Sequence, residues 1–321
     1  RLAEPNAPPL MGLLQSLRSR NLLRIRTPFA GCRRLSVPRL VGAFALAHGQ
    51  RDELDEAQLR MAQHFSAMGT EAQIFQRKSS GVLHRRIAKL EVPNIQHCFE
   101  WAMNHHHAEL SAMLSLAALA LLKTTGPFDG VTEMLRRANL ALDEGAPLKP
   151  RVLLQQCRLA MNREGLDVAE PLVRRCIELA DASGMADIST QSRVALAFIL
   201  SRTNRLALGL TVAETAVRIA IEADDQHHLP RALYCRGYLT QKAGEPRAAS
   251  TDLFAALRGF QRMGHRVSEG KCLGDLGEYH HYVGETTRAK QCYEQAQAIA
   301  HEQGDKSSAV RGHRRMAWLH M

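Results

Sequence analysis

Apolar positions along this chain fall into short helical stripes, and in the second half the stripes repeat. Gly237, Gly244, Ala249, Leu253, Ala256 and Gly264 return forty residues later as Gly277, Gly284, Ala289, Tyr293, Ala296 and Gly304. In the other direction, Ala249 and Ala256 map to Gly209 and Ala216, and then to Ala169 and Cys176. A seven-residue spacing puts two small residues on one side of a helix, two turns apart, where a partner helix packs closely. Turn dipeptides punctuate the pattern. Glu164-Gly165, Thr203-Asn204, Ala243-Gly244 and Val283-Gly284 fall within the units; Ser183-Gly184, Asp224-Asp225, Met263-Gly264 and Gly304-Asp305 fall between them. The period predicts an all-α, right-handed solenoid of helical hairpins, each burying its apolar face against its neighbours.

A more degenerate hairpin, Ala108–Lys123 and Phe128–Leu142 joined at Gly126-Pro127, opens the array, and Ser308–Met321 reads as one more helix, either a cap on the array or a point where the chain is cut. Upstream, Leu10, Leu13, Leu14 and Leu17 form one helical face. Leu22–Arg26, a turn over Thr27–Gly31 and Arg33–Val37 predict a short β-hairpin. A helix followed by a basic hairpin is the layout of the end of a winged helix. Val41–Ala47 and Asp52–Met68 predict two helices parted at Gly49, the second with Asp52, Glu53, Asp55 and Glu56 at its positive end and Gly69 as its stop. Ile74–Leu90 is basic and amphipathic, broken near Ser79-Ser80-Gly81, and Pro93-Asn94 opens a helix carrying Ile95, Cys98, Phe99, Trp101, Ala102 and Met103. The expected organisation is a winged-helix-like segment and linker over 1–48, a helical connector over 49–107 and the repeat array over 108–321.

Composition narrows the function classes. Of 321 residues, 45% are hydrophobic and only 5% aromatic, which suits packed helices and excludes a disordered chain. The net charge is +10, but the first fifty residues hold eight Arg and one Glu, leaving +3 for all the rest. Any polyanion argument therefore belongs to the N-terminal segment. The seven cysteines include no C-x-x-C pair and sit mostly in apolar helical patterns, so they predict buried thiols in a reducing compartment. No apolar run is long enough to span a bilayer. The expectation is a cytoplasmic protein without membrane contact; with Arg as its first residue, it reads as a piece of a longer chain.

Leu90-Glu91-Val92-Pro93-Asn94-Ile95, followed by Phe99-Glu100-Trp101-Ala102, resembles the "E-x-x-N-L-R-x-A-L-x-W-A" junction of AfsR-like and large LuxR-like bacterial regulators. These belong to the signal-transduction ATPases with numerous domains. Leu59-Arg60-Met61-Ala62-Gln63-His64-Phe65 is similar to the "R-x-x-H-x-x-Y/F" helix just upstream of that junction. Leu273, Leu276-Gly277, Gly284, Ala289, Tyr293 and Ala296 match the tetratricopeptide pattern, with longer helices than the standard thirty-four-residue unit. The resemblance implies a tetratricopeptide-like array joined to a winged helix and, in full-length proteins, to an upstream nucleotidase domain. One departure stands out. No G-x-x-x-x-G-K-[ST] phosphate loop occurs here, so the chain itself is not expected to hydrolyse ATP.

In tetratricopeptide arrays the first helix of each hairpin lines the concave face. Carried over, the resemblance implies a partner groove at Arg151, Arg158, Phe198, Arg202, Arg231, Tyr234, Tyr238, Lys242, Lys271, Glu278 and His281. The set is mostly basic and aromatic, which suits an acidic peptide or protein, and Arg and Tyr are frequent interface anchors. The alternative reading is nucleic-acid binding by Arg24, Arg26, Arg33 and Arg34, which would engage phosphates without reading sequence. The competing view of those arginines is a solvated spacer or a contact with neighbouring domains; a free-standing adaptor is the third reading. No metal or cofactor is called for. His105-His106-His107, His227-His228 and His280-His281 near Cys272 invite a metal, but adjacent helical histidines point about a hundred degrees apart. No glycine elbow or oxyanion setting accompanies any Ser, Cys and His, so the expectation is a non-enzymatic module.

Overall fold

A computed structural model describes residues 10–29, 32–75, 89–122, 128–303, 310–312 and 314–316. The expected turns at Gly126-Pro127 and Gly304-Asp305, the break near Ser79-Ser80-Gly81 and the tail of the closing helix lie outside the described residues. The elements are α1 (Leu10–Ser19), β1 (Arg24–Phe29), β2 (Cys32–Ser36), α2 (Arg39–His48), α3 (Arg51–Phe75), α4 (Val92–Asn104), α5 (Ala108–Leu122) and α6 (Asp129–Ala141). Four longer hairpins follow: α7 (Lys149–Arg163) with α8 (Leu166–Ala182), α9 (Ala186–Arg202) with α10 (Leu206–Glu222), α11 (Leu229–Lys242) with α12 (Pro246–Arg262), and α13 (Arg266–Tyr282) with α14 (Thr286–Gln303). The chain forms a helical-hairpin solenoid of the tetratricopeptide-like kind.

The second helix of every hairpin repeats one stripe. Its positions are Ala169, Val173, Cys176 and Ala180 in α8; Gly209, Ala213, Ala216 and Ala220 in α10; Ala249, Leu253, Ala256 and Phe260 in α12; and Ala289, Tyr293, Ala296 and Ala300 in α14. All are buried except the half-buried Ala296. Spacings of four, three and four keep one face inward. The first helices are buried on most sides, because each lies between its own partner, the preceding hairpin and its inner neighbours. Thus α9 buries Ile188, Val194, Leu196, Ile199 and Leu200 together with Ser189, Thr190 and Ser192. Each first helix packs against the first helices flanking it, whereas the second helices make no comparable contact with one another. That asymmetry makes the first-helix row the inner, concave side.

Every turn within and between the four longer hairpins carries one residue in the left-handed region: Gly165, Asn204, Gly244 and Gly284 within hairpins, and Gly184, Asp224 and Gly264 between them. Asn and Asp tolerate that conformation better than other side-chain-bearing residues, so they replace glycine twice. Proline starts several helices, at Pro93, Pro150, Pro230 and Pro246, where its missing N–H costs no helical bond.

Ahead of the array, α3 and α4 pack on α5 around Ala62, Phe65, Ile95, Phe99, Leu114 and Leu135, and this core runs on to Val152 of α7. Two expectations need correcting. Gly69 does not stop α3, which continues to Phe75; a mid-helix glycine costs only about 1 kcal/mol and stops nothing by itself. The β-hairpin is shifted toward its turn: Thr27, Pro28 and Phe29 belong to β1 and the register reaches Phe29↔Cys32, while Leu22, Leu23 and Val37 lie outside the strands. The register shifts between Arg26 and Phe29, beside Pro28, which has no N–H to give the ladder. Helix α2 buries no residue and leaves Leu40, Phe44 and Leu46 exposed.

Candidate functional site

The inner row is crossed by polar bonds that join each first helix to the next. Arg151 on α7 reaches Asp187 on α9 at 3.2 Å, and Arg158 donates to Gln191 Oε1 at 2.9 Å. Lys242 on α11 donates to the carbonyl and hydroxyl of Ser201 at 3.1 and 3.0 Å. The Tyr234 hydroxyl donates to Asp275 Oδ2 at 2.8 Å, and Gln241 donates to Glu278 at 3.0 Å. Arg202 reaches back to the Met161 carbonyl at 3.5 Å, a weak bond. Aromatic rings bridge the middle: Phe198 and Tyr238 lie 5.8 Å apart between centroids, and Tyr238 and Tyr234 6.2 Å.

Of the sequence-derived groove residues, Arg151, Arg158, Arg202, Tyr234, Lys242 and Glu278 thus serve first as lateral ties. Arg231, Lys271 and His281 are exposed on the same row, and Phe198 and Tyr238 are half-buried. Among the described residues the Arg231 side chain finds no hydrogen-bond or ion-pair partner, and the Arg158 guanidinium has only a neutral amide. Crowding by surrounding protein, then the like charge of Arg231, pushes the Arg158 guanidinium down to about 9. Arg231 is lowered by the same crowding although its side chain still meets solvent. The two observations agree for a side chain walled in by a groove but open at its mouth. A guanidinium keeps its proton at neutral pH, so both side chains stay positively charged there.

The acidic end of the row escaped the sequence reading. Asp275 has a side chain 4% exposed, inside the otherwise apolar and small run Leu273–Gly277. Burial raises its carboxyl pKa against the pull of Arg315. Burial and the charge of Asp275 also hold the Tyr234 hydroxyl well above its ordinary value. A usable signal existed: Tyr234, Asp275 and Arg315 follow one another at 41 and 40 residues, one repeat each.

The basic hairpin is less uniform than its sequence. Arg26 pairs directly with Arg34, and Arg24 with Ser36, so Arg24, Arg26 and Arg34 share one face and Arg33 lies on the other. Arg34 is bound to the start of α4, donating to the Leu90 carbonyl at 2.9 Å and pairing with Glu91 at 2.8 Å. Histidines pack rather than converge: the rings of His105 and His107 stack on Trp101. Among the described residues no three His, Cys, Asp or Glu side chains come together, and no helix is long and apolar enough to cross a membrane. The cysteines are free, with six buried.

No protein-family model and no curated protein sequence matches this chain. Solved structures do match, at identities that speak to fold alone. A Rap protein complexed with competence and sporulation factor superposes with a TM-score of 0.57 at 12% identity, covering 81% of this chain and 80% of that one. The STAND protein with a tetratricopeptide repeat sensor from Pyrococcus horikoshii gives 0.53 at 16% identity over 96% of this chain, which spans 48% of that protein. BtubC from P. vanneervenii gives 0.50 at 15% identity, covering 77% of this chain and 92% of that one.

Proposed function

We propose that the inner row is a groove for an acidic protein or peptide, and that the array is the binding or sensing module of a bacterial signalling or transcription-regulatory protein. The observation that carries this reading is the Arg158–Arg231 pair, two crowded guanidiniums with no carboxylate partner among the described residues, beside the Phe198–Tyr238–Tyr234 ring series. Fixed, unmatched positive charge in a concavity favours an anionic ligand, and the adjoining rings offer apolar contact. The Rap protein similar in fold was solved with competence and sporulation factor bound, and the P. horikoshii array is described as a sensor; both support the assignment. A ligand here would compete with or extend the lateral ties and so favour one curvature of the array over another. In a full-length regulator, the receiver of that change would be an upstream nucleotidase domain.

The test is binding of a labelled glutamate- and phenylalanine-containing peptide to the wild type and to Arg158→Gln plus Arg231→Gln. A loss of at least tenfold in affinity is expected; equal affinity would remove the groove assignment. Phe198→Ala plus Tyr238→Ala is the matching aromatic variant, because Tyr234→Ala would also break the interior bond to Asp275. The nucleic-acid alternative retains one observation in its favour, the exposed Arg24 and Arg26 on one face of β1. It calls for duplex affinity that falls steeply with salt and disappears in Arg24→Ala plus Arg26→Ala.

A further inference from the structure

Asp275 and Glu278 lie one turn apart on α13, and a single guanidinium is fitted to both. Arg315 donates from Nη2 to Asp275 Oδ1 at 2.6 Å and from Nε to Glu278 Oε1 at 2.7 Å. The second oxygen of Asp275 takes the Tyr234 hydroxyl at 2.8 Å. Gly274 leaves the wall flat where the guanidinium lies: a Cβ there would strike Arg315 Nη1. The side chain of Arg315 is 14% exposed.

Among its described residues, the segment that delivers Arg315 buries little surface. Where α11 buries Ala232, Cys235 and Leu239, and α13 buries Cys272, Leu273 and Leu276, the described residues of 310–316 bury only Gly312 and leave Val310 71% exposed. A narrow cleft lined by Lys271, Tyr293, Ala296 and Arg311 stays open beside the segment. An apolar seat strengthens with every area covered. A buried ion pair does not, because desolvation offsets most of its attraction. The contact made by Arg315 is therefore specific, and another arginine can replace it without loss of buried apolar area.

We infer that Tyr234, Gly274, Asp275 and Glu278 form a receptor for an arginine side chain, filled in cis by Arg315, for which an arginine-bearing segment of a partner competes. The donors Nη2 and Nε meet carboxylates on two different residues at once, a forked pattern that a lysine ammonium cannot reproduce. The pocket lies toward the C-terminal end of the inner row and has the opposite charge to the Arg158–Arg231 pair. It neither needs nor excludes an acidic ligand there.

The experiment uses the full chain carrying Arg315→Gln and, as probe, a synthetic peptide of residues 308–321, with affinity read by calorimetry. A tethered segment acts at an effective concentration of roughly millimolar, so removing the cis arginine should tighten peptide binding at least tenfold over the wild type. Adding Asp275→Asn or Gly274→Ala to Arg315→Gln should abolish that gain, and so should lysine in place of the peptide's Arg315. Equal or absent binding to wild type and Arg315→Gln would overturn the inference. Hydrogen exchange on the unaltered chain tests the same pocket without a substitution. Saturating peptide should speed exchange at 310–316 while α13 stays protected, and unchanged exchange would count against the pocket.

Discussion

The ring of Tyr293 packs against Gly277 so closely that a Cβ on residue 277 would clash with its Cε1 and Cδ1 atoms. Inner helix α13 and outer helix α14 meet at this point, one repeat after Gly237 meets Leu253. A Cβ at Gly237 would sit 3.0 Å from Leu253 Cγ and 3.2 Å from the Ala249 carbonyl oxygen, a milder overlap than at Gly277. Gly277→Ala should therefore destabilise by about 1–3 kcal/mol, more than the roughly 1 kcal/mol of helix propensity it gains. Gly237→Ala should be close to neutral, since a smaller overlap opposes the same gain in helix propensity. Urea unfolding of both variants tests the pair, and a Gly277→Ala chain as stable as wild type would show that the ring moves freely.

Arg231 should be expendable for folding. Its guanidinium has no acidic partner among the described residues and sits near another positive charge, so Arg231→Gln should leave the thermal midpoint unchanged or raised. Arg193 is the contrast. It holds both oxygens of Asp181 at 3.0 and 2.6 Å with a side chain only 15% exposed. Arg193→Gln should cost about 1–2 kcal/mol, the scale of a charge-assisted bond. Equal losses from the two substitutions would contradict the distinction drawn between tie and ligand contact.

Acid stability should have two limbs. Asp181 is held below its ordinary range by the hydrogen bond from Arg193, and Glu170 by that from Arg205. A carboxylate depressed in the folded state contributes stability above its unfolded pKa, near 4, and loses it as pH falls through the folded value. Asp275 is raised by burial, so its contribution runs the other way, declining as pH rises from about 4 through its folded value. Urea midpoints between pH 3 and 7 should show Arg193→Gln flattening the lower limb and Asp275→Asn flattening the upper one.

Thiol chemistry should report opening rather than catalysis. Burial pushes Cys98 and Cys176 up to about 11 and Cys157 and Cys235 up to about 12. At pH 8 a thiol at 12 is ionised about once in ten thousand. Iodoacetamide should modify the half-buried Cys292 first and reach the six buried thiols at the rate of unfolding. Mass spectrometry of partly labelled chain tests this, and early labelling of Cys157 or Cys235 would reveal a local opening of the inner row.

The forty-residue frame is legible because it is written in packing residues. Ala249 and Ala256 admit a neighbouring helix wherever they recur, and Gly165, Gly244 and Gly284 mark backbone that most side chains would strain. Asn204 and Asp224 fill the same turns and are readable for the same reason. The lateral bonds are not legible. Whether Tyr234 meets Asp275 or water depends on how far one hairpin rotates against the next, which no local pattern records. Tyr234 lies on the inner helix as its pattern implies, but its hydroxyl is an internal tie. Asp275 is easily passed over because an apolar run conceals its single charge. Gly69 misleads in the opposite sense, as a stop signal in a helix that continues.

The side-by-side packing of the inner helices also bears on how the chain is made. No described helix of the array packs closely beyond the next hairpin, so every such contact is satisfied by sequence at most about two repeats away. A hairpin leaving the ribosome needs only its predecessor to close against, and short sequence separations favour fast folding. The array can therefore be assembled in the order it is translated, with the arginine that fills the acidic pocket arriving after the helices that form it.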